Sequence, residues 1–155
     1  MAQQQININL HKQKLYSLIL AGVGFIALLL PWVTVQGTTW KTGFSSWGII
    51  SLLGIIAIAV VSLIGDKTKE YEGNINNISY KNIAMGGFIA ISFGALLMML
   101  TKNSAVGGMY RGYGNIVKAG FGVWLSLIVG GVGTAWVAGK IKLPENNKPP
   151  ESSKK

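Results

Sequence analysis

Cysteine does not occur among the 155 residues of this chain, which excludes a disulfide, a thiolate metal site and a cysteine nucleophile. Histidine occurs once, as His11, so a histidine ligand set or a serine–histidine catalytic site is not expected within one chain. Acidic residues are scarce: Asp66, Glu70, Glu72, Glu145 and Glu151 stand against 14 Lys and Arg, for a formal charge of +9. Charge of either sign is missing from four long apolar stretches, Leu15–Val33, Trp47–Gly65, Ile83–Leu100 and Phe121–Ala138. An enzyme or an ion-coupled transporter of the membrane places ionisable groups inside such stretches, because they are costly there without a use. Their absence leads us to read the chain as a non-enzyme with no cofactor and no metal.

The four stretches are what the sequence offers instead. Each is roughly 18–19 residues, which at ~1.5 Å per residue spans roughly 27–29 Å, close to the hydrocarbon thickness of a bilayer. A soluble helix keeps a polar face, whereas these are apolar all round. The expected fold class is therefore all-α, a four-helix transmembrane bundle, with the lipid bilayer as its first partner. The expected layout is a polar tail over residues 1–14, a membrane domain over 15–143 with helices at about 15–33, 47–65, 83–100 and 121–138, and a disordered basic tail over 144–155. His11, Lys12 and Lys14 precede the first stretch as they would in a secretory signal. That stretch is longer than a signal's apolar core and ends Leu30-Pro31-Trp32 rather than in small residues, so it is read as a retained span.

Basic residues set the orientation. Ten lysines fall in the two tails and the second connector, against Lys41, Lys102, Arg111 and Lys118 in the first and third connectors. The positive-inside rule then puts both termini and the second connector in the cytoplasm. The same crowding beside the spans, where anionic headgroups attract lysine, accounts for the net charge without nucleic acid.

Small residues recur at helical spacing. Gly122, Ser126, Gly130, Thr134 and Ala138 repeat every four residues in the last span, and Gly86, Ala90 and Gly94 do so in the third. Apolar surface gains nothing by meeting apolar surface in lipid, so helices associate where small residues let backbones approach. The third and fourth spans are expected to pack on each other through these stripes. The alternative is that the wide stripe of the fourth faces outward onto another copy or another membrane protein. Trp32, Trp40, Phe44 and Trp47 surround the first outer connector and suit an aromatic belt, with a ligand or partner platform as the sharper reading. Val33, Thr34 and Val35 suit an extended segment beyond Pro31. In the third connector Tyr110, Arg111 and Tyr113 lie among glycines, as an interfacial loop that anchors by its rings and snorkels Arg111, or as an anion cradle.

Leu30-Pro31-Trp32 closing the first span and Gly43-Phe44-Ser45-Ser46-Trp47-Gly48 opening the second resemble the layout of small, uncharacterised four-span membrane proteins of bacteria. The chain is also loosely similar to the claudin-like tetraspans, which place tryptophans and a glycine in the first outer loop, but it lacks that family's paired loop cysteines. The resemblance implies an integral protein of the bacterial cytoplasmic (inner) membrane. The expected function is helix packing, as a structural or accessory subunit of a membrane complex or as a homo-oligomer. The alternative is a passive channel or permeability factor formed by several copies.

Overall fold

The computed structural model describes residues 11–45, 47–64, 71, 73–105 and 115–141, and these are mostly helical. Helix α1 (Lys12–Leu29) starts where the His11 ring Nδ1 accepts the Gln13 N–H at 3.2 Å, satisfying one of the donors a helix start leaves unpaired. Lys12 and Lys14 are thus helical and not part of the polar tail expected over residues 1–14; residues 1–10 lie outside the described set. The helix stops at Leu29, four residues before the expected Val33. Proline drives the residue before it out of the helical region, and Leu30 is extended (φ −76°, ψ 161°).

Strand β1 (Pro31–Val35) follows, and the chain reverses through Gln36 and Gly37 into β2 (Thr38–Thr42). Both turn residues have positive φ, 51° and 83°, as the tight turn matching strand twist requires. Helix α2 (Gly48–Leu63) is followed by a short hairpin of β3 (Asn74–Ile75) and β4 (Ile78–Ser79). Helix α3 (Tyr80–Ala105) extends beyond its apolar run at both ends. Strand β5 (Val117–Ala119) leads into α4 (Phe121–Val137), which stops at Gly139. That glycine has φ 75°, and the Lys140 N–H reaches back to the Ala135 carbonyl at 2.9 Å, a Schellman closure. The tail expected to be disordered over 144–155 lies outside the described residues.

Sequence predicted helices but no sheet. The first and third connectors nevertheless join in a three-stranded antiparallel sheet of order β2-β1-β5, with Val33 opposite Ala119 and Val35 opposite Val117. Its Trp32, Val33, Val35 and Val117 are buried with Leu28 and Val123 in one apolar cluster, so the sheet closes one end of the bundle. The helices form a ring in which each packs on its neighbour in sequence and α4 closes on α1.

Glycine sets the helix approaches. A Cβ on Gly87 would lie 2.7 Å from the Gly54 carbonyl oxygen and 2.7 Å from Ile58 Cγ1, and a Cβ on Gly54 would collide with the Gly87 carbonyl. Backbones of α2 and α3 touch there. Two helices, Lys12–Leu29 and Tyr80–Lys102, are long and apolar enough to cross a membrane; Gly48–Leu63 and Phe121–Val137 are shorter apolar helices.

Gly86 and Gly87 separate the two fates of a helical glycine. Gly86 has nothing within 4 Å of an added Cβ, so Gly86→Ala should be neutral or stabilise by up to ~1 kcal/mol through helix propensity. Gly87→Ala should cost about 1–3 kcal/mol by forcing α2 and α3 apart. Thermal unfolding of the two purified variants in detergent checks the difference, and equal midpoints would refute the contact.

Candidate functional site

The small-residue stripes are used inside the chain, but not as paired surfaces. Gly94 faces α2: an added Cβ would lie 2.5 Å from Ser51 Oγ and 2.8 Å from the Trp47 carbonyl oxygen. Ala90 faces the same way, its Cβ 3.2 Å from the place a Gly54 Cβ would take. Gly86 faces outward into open space. On α4, a Cβ added to Gly130 would lie 2.6 Å from the Phe88 carbonyl oxygen and collide with Ser92 of α3, while one on Gly122 would lie 2.6 Å from the Ala27 carbonyl oxygen and against the Trp32 indole. The expected stripe-to-stripe contact of the third and fourth helices is therefore corrected. Helix α3 sits between two neighbours and turns about 100° per residue, so Gly87, Ala90 and Gly94 meet α2 while Phe88 and Ser92 meet α4. Ser126 is fully buried, and its Oγ is the one buried side-chain oxygen among the described residues without a hydrogen-bond partner. Thr134 is half-buried and donates to the Gly130 carbonyl at 2.7 Å, and Ala138 is half-buried at the helix end. With Gly122, Ser126 and Gly130 all buried, the wide stripe faces inward, not outward as in the alternative reading.

The aromatic group of the first connector is divided. Trp32 is 0% exposed, and its Nε1–H donates to the Ala27 carbonyl at 2.8 Å. Belt and platform readings both required it at the surface. Proline at 31 ends α1, and the next side chain swings under the sheet into space left by Gly43 and Gly122. Phe44 and Trp47 are exposed, with Phe44 edge-on to Phe25 at 6.0 Å. Trp40 lies on β2, its side chain outside the described set. Tyr110, Arg111 and Tyr113 also lie outside the described residues.

A different constellation stands at the end opposite the sheet. Lys14 is 1% exposed, and its Nζ lies 5.8 Å from the centroid of the Tyr71 ring, within reach of a cation–π attraction. Tyr71, from the connector after α2, is 6% exposed, and its hydroxyl shares a 2.8 Å hydrogen bond with Ser62 Oγ near the end of α2. Ser17 of α1 bonds to the same phenol. Burial pushes the Tyr71 hydroxyl above its ordinary pKa, opposed by the bonds to Ser17 and Ser62. One turn away, the Gln13 carbonyl accepts from Ser17 Oγ (2.8 Å) and from the Trp136 Nε1–H (3.2 Å). Trp136 also meets Tyr16 edge-on at 5.1 Å. These contacts bind the start of α1 to the end of α2, to the connector and to the end of α4.

Lys14, Tyr71, Ser17 and Ser62 were absent from the candidates drawn from sequence. The Tyr71 phenol and the Ser17 and Ser62 hydroxyls make a hydrogen-bonded staple, with the Lys14 amine over the ring. The signal was present in α1: Lys14, Ser17, Ala21, Gly24 and Leu28 follow helical spacing and all are buried.

Removing the phenol oxygen tests the staple. Tyr71→Phe leaves Ser62 Oγ without its partner in a buried site and should cost about 1–3 kcal/mol. The pH dependence has a defined sign. A folded pKa raised above the unfolded value gives stability that is complete below about pH 10, where the unfolded phenol titrates, and is lost as pH rises through the folded value. Unfolding midpoints followed above pH 10 should therefore fall more steeply for the parent chain than for Tyr71→Phe; parallel curves would contradict the buried phenol. No protein-family model matches this chain, nor does any curated protein or solved structure, so the functional reading rests on its geometry.

Proposed function

We propose that the chain is an integral membrane protein that crosses the bilayer four times with both termini in the cytoplasm, and that it acts by packing against other membrane proteins or copies of itself. One observation carries this reading: every helix turns bulky apolar side chains outward. Ile19, Phe25, Ile26 and Leu29 are exposed on α1, Ile49, Leu53, Ile56, Val60 and Leu63 on α2, Ile89, Phe93, Leu96 and Leu100 on α3, and Trp124, Ile128 and Val132 on α4. Leaving one such side chain in water forgoes about 1.5–3 kcal/mol. Repeated on four helices, the loss exceeds the ~5–15 kcal/mol by which a folded domain is stable. Lipid removes the conflict, since the outward faces are then solvated by acyl chains.

The inward faces carry the complementary pattern of Gly24, Ser51, Gly54, Gly87, Gly94, Gly122 and Gly130 around Phe88, Ile91, Met98 and Val129. Those inward positions are taken up by contacts within the bundle, which leaves the outward faces open to partners. Gly22, Gly86 and Gly131 give that surface places where another helix can approach closely, because an added Cβ at each meets nothing within 4 Å. The basic residues Lys12, Lys81 and Lys140 at one end and Lys41, Lys102 and Lys118 at the other fit headgroup layers on both sides of the apolar zone.

Assembly is tested by purification in mild detergent followed by native mass spectrometry. A stable homo-oligomer or a stoichiometric membrane-protein companion is the expected result. A monomer that carries nothing but lipid, under conditions that preserve other membrane complexes from the same cells, would overturn the proposal.

A further inference from the structure

We infer that the β3–β4 hairpin is an interfacial anchor that rests its Ile75–Ile78 pair on the anionic lipid surface of the membrane the helices cross; this rests on the membrane reading above. The two isoleucines are directly opposite each other across the hairpin and are 40% and 53% exposed. The turn between them, Asn76-Asn77, has φ of 48° and 68°, the left-handed pair that a two-residue hairpin loop requires and that asparagine tolerates. The apolar pair is thus held at the tip. A two-stranded hairpin of this length is marginal in water at best, and this one shows its apolar side chains outward.

The hairpin's placement favours lipid as the occupant. Its base is joined to the start of α3 at two points: the Tyr80 N–H donates to the Gly73 carbonyl at 3.0 Å, and Ser79 Oγ accepts the Asn82 N–H at 3.3 Å as a cap for α3. The strand therefore runs directly into a helix whose outward face is Ile89, Phe93 and Leu96, so the tip stands at the level where acyl chains give way to headgroups. Tyr71, a few residues earlier, is buried between α1 and α2 and holds the connector to the same end. Charge complements this position. Lys81 follows the hairpin and is exposed, as are Lys12 and Lys140 at that end. Ten lysines and all five acidic residues of the chain fall on this side by sequence, an excess of cations that favours an anionic leaflet.

The absence of native cysteine permits a clean test, because a single introduced cysteine carries the only label. Ile78→Cys, and separately Phe93→Cys in the middle of α3, are labelled with an environment-sensitive fluorophore. The full chain is then reconstituted into phosphatidylcholine vesicles with or without phosphatidylglycerol, some bearing brominated acyl chains. The label at position 78 is expected to be blue-shifted and quenched by bromines placed high on the chain, more strongly with phosphatidylglycerol and less at high salt. The label at position 93 should be quenched by bromines placed deep. Water-like emission at 78 with deep quenching at 93 would overturn the anchor while leaving the spans intact, and it would point to a protein as the hairpin's occupant. Quenching at 78 that ignores phosphatidylglycerol and salt would overturn the anionic surface as the partner. Absence of quenching at 93 would instead sink the membrane reading itself.

Discussion

Bulky apolar side chains on every outward helix face, with glycine and serine where the helices touch inside, govern the rest of this structure. In water such exposed apolar faces are costly, since hydrophobic burial is the dominant favourable term there. In lipid that term vanishes between helices, and close packing takes its place. The Gly54–Gly87 approach, where a Cβ on Gly87 would come within 2.7 Å of the facing carbonyl, shows how tightly α2 and α3 are drawn together. The Ser51 hydroxyl adds a cross-helix hydrogen bond to the Ile91 carbonyl at 3.0 Å in the same interface. Glycine gives up helix propensity at such sites, a loss of about 1 kcal/mol each in a helix interior, and it is retained because nothing larger fits.

Both ends of the ring are closed, by different means. At one, β5 of the third connector pairs with β1 of the first, and Trp32 fills the space beneath them. Buried backbone has to satisfy its own hydrogen bonds, and the sheet over the helix ends does so. At the other, Tyr71 reaches back between α1 and α2, and a lysine is buried beneath its ring. The aromatic face of Tyr71 lies over the Lys14 amine at 5.8 Å and contributes a cation–π attraction to that end. The polar end thereby gains a fixed geometry that apolar packing alone would not specify.

Helix number and rough position were legible because charge-free runs of this length have few other uses. Boundaries failed where local chemistry overrode hydropathy: Pro31 cut α1 short at Leu29, and the His11 cap started it early enough to draw in Lys12 and Lys14. The sheet was not legible, since three residues at Val117–Ala119 carry no strand signal of their own and pair only because β1 lies alongside. Stripes of small residues announced close packing, but they did not say which neighbour each would meet, because that depends on the ring order. Trp32 looked like an interfacial residue by type, and only the glycines at 43 and 122 reveal the pocket that buries it. Lys14 was assigned to the tail by its charge, just before the charge-free run, although its spacing from Ser17 and Ala21 placed it on the inward face.

The most direct test of the central claim places single cysteines at Thr38, exposed on the sheet end, and at Asn77, exposed in the hairpin turn at the opposite end. A membrane-impermeant maleimide applied to intact cells should label the first and should reach the second only after the membrane is permeabilised. Labelling of both, or of neither, in intact cells would contradict a bundle with its two ends on opposite sides of a bilayer.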